Sequence, residues 1–199
     1  MKVADPALKL EDYFTYGQYK HWPEDDRWEL IHGKAWAMSA PSAAHQRLLL
    51  KLLRLFADFL DDKPCEVLPA PFDILLPKGD EEEDAVDTVI QPDIVVFCDP
   101  AKVRNRYGWG APDLAVEILS PSTAKKDLNE KFDLFEAHGV REYWVFDPFA
   151  RSVWVYRRTQ EGHFDRGELR ESPQDLEPIA SKVLEGFSVD PAAIFAGLT

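Results

Sequence analysis

Leu114-Ala115-Val116-Glu117-Ile118-Leu119-Ser120-Pro121-Ser122-Thr123 is the stretch that decides the fold. Its first six residues are apolar on both faces apart from one carboxylate, the pattern of a strand covered on both sides. Ser-Pro-Ser-Thr then stops the strand and leads into a helix expected over about residues 125–138, with Gly139 as its C′ residue. Upstream, Ile90–Cys98 reads as a second buried, central strand, and Cys65–Leu76 as a strand bent or broken by Pro69 and Pro71. Further upstream, Ala43–Leu60 reads as a helix capped by Ser42. Its apolar positions 48, 49, 52, 56 and 59 lie opposite charged positions 47, 51, 54, 58 and 61. Arg27–Met38 reads as a β-hairpin whose His32-Gly33 turn pairs Ile31 with Lys34 and Glu29 with Trp36. Downstream, Glu142–Asp147 and Ser152–Arg157 form a strand pair, and Asp99–Pro112 is expected to be a long loop. Strands and helices in this order predict an α/β (α+β) domain, a central mixed sheet flanked by helices with an N-terminal β-hairpin.

The chain has 199 residues, enough for one domain over 1–199 with a core at about 27–157. The tail, 158–199, is polar at first and apolar again at Val183–Phe195, so it is expected to pack back on the domain. Acidic residues number 36 and basic ones 23, for a net charge of −13, which excludes an overall basic DNA-coating protein. It does not exclude a nuclease, whose metal site itself needs carboxylates. Within the acidic chain, Lys102, Arg104, Arg106, Lys125 and Lys126 outweigh Asp113 and Glu117 over residues 101–126. That stretch reads either as a phosphate-facing surface or as ordinary solvated loop charge. The acidic run Asp80–Asp87 is expected to be a mobile, solvated loop. Cys65 and Cys98, far apart and in no CxxC pattern, exclude a disulfide framework and a zinc ribbon, and point to a reducing, cytoplasmic setting. No apolar run reaches membrane length.

Three strands carry ionisable residues that apolar strands rarely hold: Asp73, Asp93 and Glu117. Side chains alternate along a strand, so neighbouring strands can bring these acids to one side of a sheet. Carboxylates crowded together repel unless a cation holds them, and oxygen-only ligands select Mg²⁺, with Mn²⁺ as substitute. The alternative is that each acid has its own arginine or backbone donor. Glu29, between Trp28 and Leu30, is a fourth candidate, or else an exposed cross-strand residue near Lys34. His45 lies on the apolar side at the start of its helix, either a site residue or a capped core histidine. Nucleophile elbows, Walker loops and HExxH are absent from the sequence.

Trp28-Glu29-Leu30-Ile31-His32-Gly33, Pro41-Ser42 with His45, Gln91-Pro92-Asp93, Pro112-Asp113 running into the decisive stretch, Asp127 with Lys131, and Gly139–Pro148 together carry a family resemblance. The chain resembles the Uma-type family of restriction-endonuclease-like proteins, within the PD-(D/E)XK nuclease superfamily, over roughly residues 10–195. The resemblance implies an αβββαβ core, a divalent-metal site and hydrolysis of DNA phosphodiester bonds. It matches Asp93 to the Asp of the PD motif and Glu117 to the acid of (D/E)XK. The motif lysine would stand two residues after Glu117, where this chain has Leu119; Lys131 on the following helix is offered in its place. Lys131 alternatively forms a surface ion pair with Asp127.

The expectation is thus a Mg²⁺-dependent endonuclease. Asp93, Glu117 and Asp73 bind the metal, Lys131 acts on the attacking water, and Glu29 assists. Tyr107, Trp109 and the basic residues of 101–126 hold DNA. A homodimer is expected, with Tyr143–Phe146 and Val153–Tyr156 as candidate surface, although core burial explains those strands equally well. The rival reading is a non-catalytic nucleic-acid or protein-interaction module on a nuclease fold.

Overall fold

The protein is described by a computed structural model covering residues 13–23, 27–120, 128–172 and 177–198. The hairpin forms as its turn requires: β1 (Trp28–Ile31) and β2 (Lys34–Ala37) pair Ile31 with Lys34 and Glu29 with Trp36. His32 and Gly33 both hold positive φ, at 51° and 77°. Helix α2 (Ala43–Leu60) starts where Ser42 Oγ accepts the His45 amide, 3.2 Å away, and buries Leu48, Leu52, Phe56 and Leu60 along one stripe. A short α1 (Tyr16–Tyr19) precedes the hairpin.

The remaining strands form two larger sheets. Their ranges are β3 (Glu66–Pro69), β4 (Asp73–Leu75), β5 (Val89–Ile90), β6 (Ile94–Phe97), β7 (Tyr107–Trp109), β8 (Leu114–Ile118), β9 (Glu142–Asp147), β10 (Ser152–Arg157) and β11 (Glu168–Glu171). Six strands run in the order β11-β10-β9-β8-β6-β3, with β8 and β9 parallel. Taking α3 (Glu130–His138) between β8 and β9, the chain order α2-β3-β6-β8-α3-β9 is the expected αβββαβ core on a mixed sheet. Gly139 ends α3 in the left-handed conformation, φ 89°. Five strands, β2-β1-β5-β4-β7, make the second sheet.

The tail adds β12 (Ile179–Ala180), β13 (Ser188–Val189) and α4 (Pro191–Phe195). Leu184, Phe187, Ile194 and Phe195 join the core packed by α2, and the Phe187 ring stacks on Phe56 at 4.4 Å. Each such side chain withdrawn from water contributes about 1.5–3 kcal/mol.

Several sequence expectations are corrected. Ile90–Cys98 is not one strand: Gln91-Pro92-Asp93 separates β5 from β6, which belong to different sheets. Cys65–Leu76 is broken at Pro71 as expected, and the break, which holds a cis Ala70–Pro71 peptide, divides β3 and β4 between the two sheets. Asp99–Pro112 contains β7, paired in parallel with β4. The acidic run holds a short 3-10 turn at Glu83–Ala85, and its last residue, Asp87, is buried rather than solvated. Cys65 and Cys98 are joined in a disulfide, because antiparallel pairing of β3 with β6 sets Glu66 opposite Phe97 and brings the flanking cysteines together. Tyr143–Phe146 is wholly core, and so are Val153 and Val155, so those strands are not a free dimer surface. Of the helix expected over 125–138, residues 125–127 lie outside the described residues.

Candidate active site

Register brings two of the expected acids together. β6 and β8 are antiparallel with Ile94 opposite Val116, and one step along that ladder sets Asp93 beside Glu117. Residues opposed in a ladder project to the same face. Asp93 Oδ2 accepts the Ile118 amide at 2.7 Å and lies 3.1 Å from His45 Nε2, so the first turn of α2 supports it. His45 Nδ1 is buried and has no hydrogen-bond partner among the described residues.

Glu29 and Glu117 come from different sheets and meet at Lys131. The lysine side chain is 2% exposed, and its Nζ lies 2.9 Å from Glu29 Oε1 and 2.5 Å from Glu117 Oε1. Glu29, fully buried, also accepts the Gln91 amide at 2.9 Å. Charges withdrawn from water this far persist only when paired and hydrogen-bonded. The alternative of an exposed Glu29 is therefore excluded, and Lys131 is buried rather than at the surface; Asp127, its alternative partner, lies outside the described residues. Leu119, where a motif lysine would stand, is buried in the apolar cluster of Ile31, Leu134 and Phe135.

His45, Gln91, Asp93, Glu117 and Lys131 line one cleft of about 80 Å³, together with Arg27. Arg27 chelates the Gln91 amide oxygen through Nε at 3.0 Å and Nη2 at 2.8 Å. The sequence reading gives neither Arg27 nor Gln91 a site role, although Gln91 stands in the Gln91-Pro92-Asp93 stretch; the link from Gln91 to Arg27 spans 64 residues.

Asp73 is not brought into this cleft. It lines a neighbouring cavity, where its Oδ1 accepts from Tyr19 Oη at 3.0 Å and Gln91 Nε2 at 2.8 Å. Burial raises its carboxyl above the ordinary range, against the lowering effect of those two bonds. Burial, then the Asp73 charge, raises the Tyr19 hydroxyl as well. In the 101–126 stretch, Lys102 is tied to the Ala111 carbonyl at 2.9 Å, while Arg104 lies 4.6 Å over the Trp109 ring. Lys125 and Lys126 lie outside the described residues.

As a metal centre the cleft offers two side-by-side carboxylates, Asp93 and Glu117. Among the described residues no three His, Cys, Asp or Glu are placed to hold an ion. Two carboxylates with water completing the shell fit Mg²⁺ or Mn²⁺, which keep several waters and need no protein cage. They do not fit a closed structural site.

Among solved structures, the chain is similar to one described as a putative nuclease belonging to DUF820 from Anabaena variabilis. The TM-score is 0.73 at 21% identity, over 94% of this chain and 99% of that one. That likeness carries the fold. Two uncharacterised proteins of Synechocystis sp. are similar in sequence. One is 28% identical, covering 79% of this chain and 77% of the relative; the other is 24% identical, covering 75% and 82%. Among the described residues no helix is long and apolar enough to cross a membrane. The pattern of the Uma2 family, described as putative restriction endonuclease, matches residues 16–192, and the chain belongs to that family.

Proposed function

We propose that the protein is a metal-dependent endonuclease that hydrolyses DNA phosphodiester bonds in the Asp93–Glu117–Lys131 cleft. The observation that carries this reading is that Asp93 and Glu117 open on the same cleft as a buried lysine held by two glutamates. Asp93 and Glu117 would hold Mg²⁺ or Mn²⁺. Such an ion, when bound, lowers the pKa of a coordinated water and offsets negative charge on the phosphate. The rest is done by the chain. Lys131, fixed from both sides, presents its ammonium to the attacking water or to a phosphate oxygen as charge develops there. Glu29 keeps Lys131 in place, and the Gln91 amide keeps Glu29 in place. His45 is a positioning residue for Asp93. Arg27 faces the cleft and suits a backbone phosphate. Cutting both strands with one cleft per chain calls for two copies, so a homodimer belongs to the same proposal.

The test is cleavage of plasmid, linear and single-stranded DNA with Mg²⁺, Mn²⁺ or EDTA, beside a thermal-shift titration of each metal. Cleavage is expected with either metal and absent in EDTA, and Mn²⁺ should raise the melting temperature by mass action. Neither cleavage nor a metal-dependent shift would leave the non-catalytic module as the reading.

A further inference from the structure

A second cavity, of about 320 Å³, adjoins the cleft and shares Arg27 and Gln91 with it. That volume lies near the lower end of small-molecule sites, about 300–1,000 Å³. Tyr19, Trp22 and Trp28 line it, all half-buried. They meet one another tilted or edge-on, with Tyr19–Trp22 centroids 5.5 Å apart and Trp22–Trp28 centroids 5.8 Å apart. Asp73 lines it as well. Both side-chain bonds to Asp73 fall on Oδ1, and among the described residues Oδ2 accepts none. Besides Arg27, two cations line it: Lys20, paired with Asp84, and Arg106. Arg106 is exposed and has no hydrogen bond or ion pair among the described residues.

Each part matches one part of a nucleotide. Aromatic faces stack on a base whatever its identity. A carboxylate oxygen accepts from a ring N–H or an amino group on the base edge, and a guanidinium meets phosphate. A base inside a duplex withholds its faces, which are stacked, and its pairing edge, which is hydrogen-bonded to its partner, so it cannot enter the aromatic cavity. We propose that this second cavity binds one unstacked nucleobase of the strand whose phosphate lies in the cleft, so that the protein selects DNA with an unpaired base. The proposal rests on the nuclease reading and names its substrate class. Single-stranded or bulged DNA enters without the few kcal/mol needed to extrude a paired base.

The test is equilibrium binding of three fluorescein-labelled oligonucleotides: a single strand, a duplex with one bulged base, and the fully paired duplex. EDTA and Ca²⁺ buffers keep the DNA uncut. The wild type should bind the first two at least about tenfold more tightly than the third, the scale of one base–aromatic stack. Trp22→Ala, with its melting temperature checked, should bring all three to within about threefold. Arg106→Ala, at an exposed position that does not hold the fold, should weaken unpaired DNA several-fold more than the paired duplex. Equal binding of all three by the wild type would overturn the base pocket and leave plasmid cleavage, hence the nuclease reading, standing. So would variants that keep the preference. Failure to bind any of them in either buffer, together with no cleavage, would overturn both.

Discussion

Lys131 Nζ lies 2.5 Å from Glu117 Oε1 although the two residues belong to a helix and a strand 14 positions apart, and both are almost wholly buried. The same ammonium reaches Glu29 on the other sheet, so one lysine ties the two sheets at the floor of the cleft.

Lys131→Met should therefore cost stability as well as activity. It leaves two glutamates without their shared cation, and breaking a buried pair on one side costs about 3–5 kcal/mol. Urea denaturation reads this, and the Lys131→Met/Glu117→Gln double variant should recover part of the loss, since the two residues are coupled. Below its melting temperature, Lys131→Met should cut DNA on the order of 10²-fold more slowly. Wild-type stability would place the ammonium outside the ion pair.

Asp93 separates two roles in one side chain. Asp93→Asn retains an oxygen for the Ile118 amide, so metal-free stability should stay near that of the wild type while cleavage is lost. Asp93→Ala leaves that amide and His45 without their acceptor, which should cost about 1–3 kcal/mol. Equal melting temperatures for the two variants would contradict the assignment.

Asp87 and Asp73 should respond to acid in opposite directions. Burial would raise the Asp87 carboxyl, but hydrogen bonds from Lys78, Tyr13 and Thr88 outweigh it and hold the group below its ordinary value. Its stabilising contribution is then complete at neutral pH and is lost as pH falls through the lowered value. The melting-temperature gap between wild type and Asp87→Asn should close on acidification. Asp73, raised by burial, has the reverse sign: its contribution is present at low pH and lost as pH rises through the raised value. Asp73→Asn should match or exceed the wild type at neutral pH and lose that advantage in acid. Melting curves from pH 3 to pH 8 check both.

Gly108 is fixed by space. A Cβ there would meet Phe97 Cζ at 2.7 Å and Ile74 Cδ1 at 2.9 Å. Gly108→Ala should destabilise by about 1–3 kcal/mol, as overpacking does, and calorimetry showing no change would mean that the two sheets separate more easily there than their contact distances imply.

Local chemistry made much of the fold legible. Ser42 marked the start of α2 and Leu60 its end, His32-Gly33 fixed the hairpin register, and the edges of β9 and β10 fell where the apolar runs stop. These features depend on neighbours a few residues apart, so composition and spacing suffice. Asp93 and Glu117 stood out because a lone carboxylate in an apolar strand is anomalous at sequence level, and β6–β8 pairing brings them side by side.

Sheet membership was decided elsewhere. The breaks around Pro71 and Pro92 send consecutive strands to different sheets, which carries Asp73 away from Asp93 and into the neighbouring cavity. The same division buries Glu29 against Lys131, and β3–β6 pairing joins Cys65 to Cys98 across 33 residues. None of these contacts follows from periodicity. The sequence by itself determined the bounds of the hairpin, α2, β9 and β10 and which acids were out of place. Only the tertiary structure decided which charges share a site, because the several-kilocalorie cost of burying an ion is met by a partner whose distance depends on strand order, not on sequence separation.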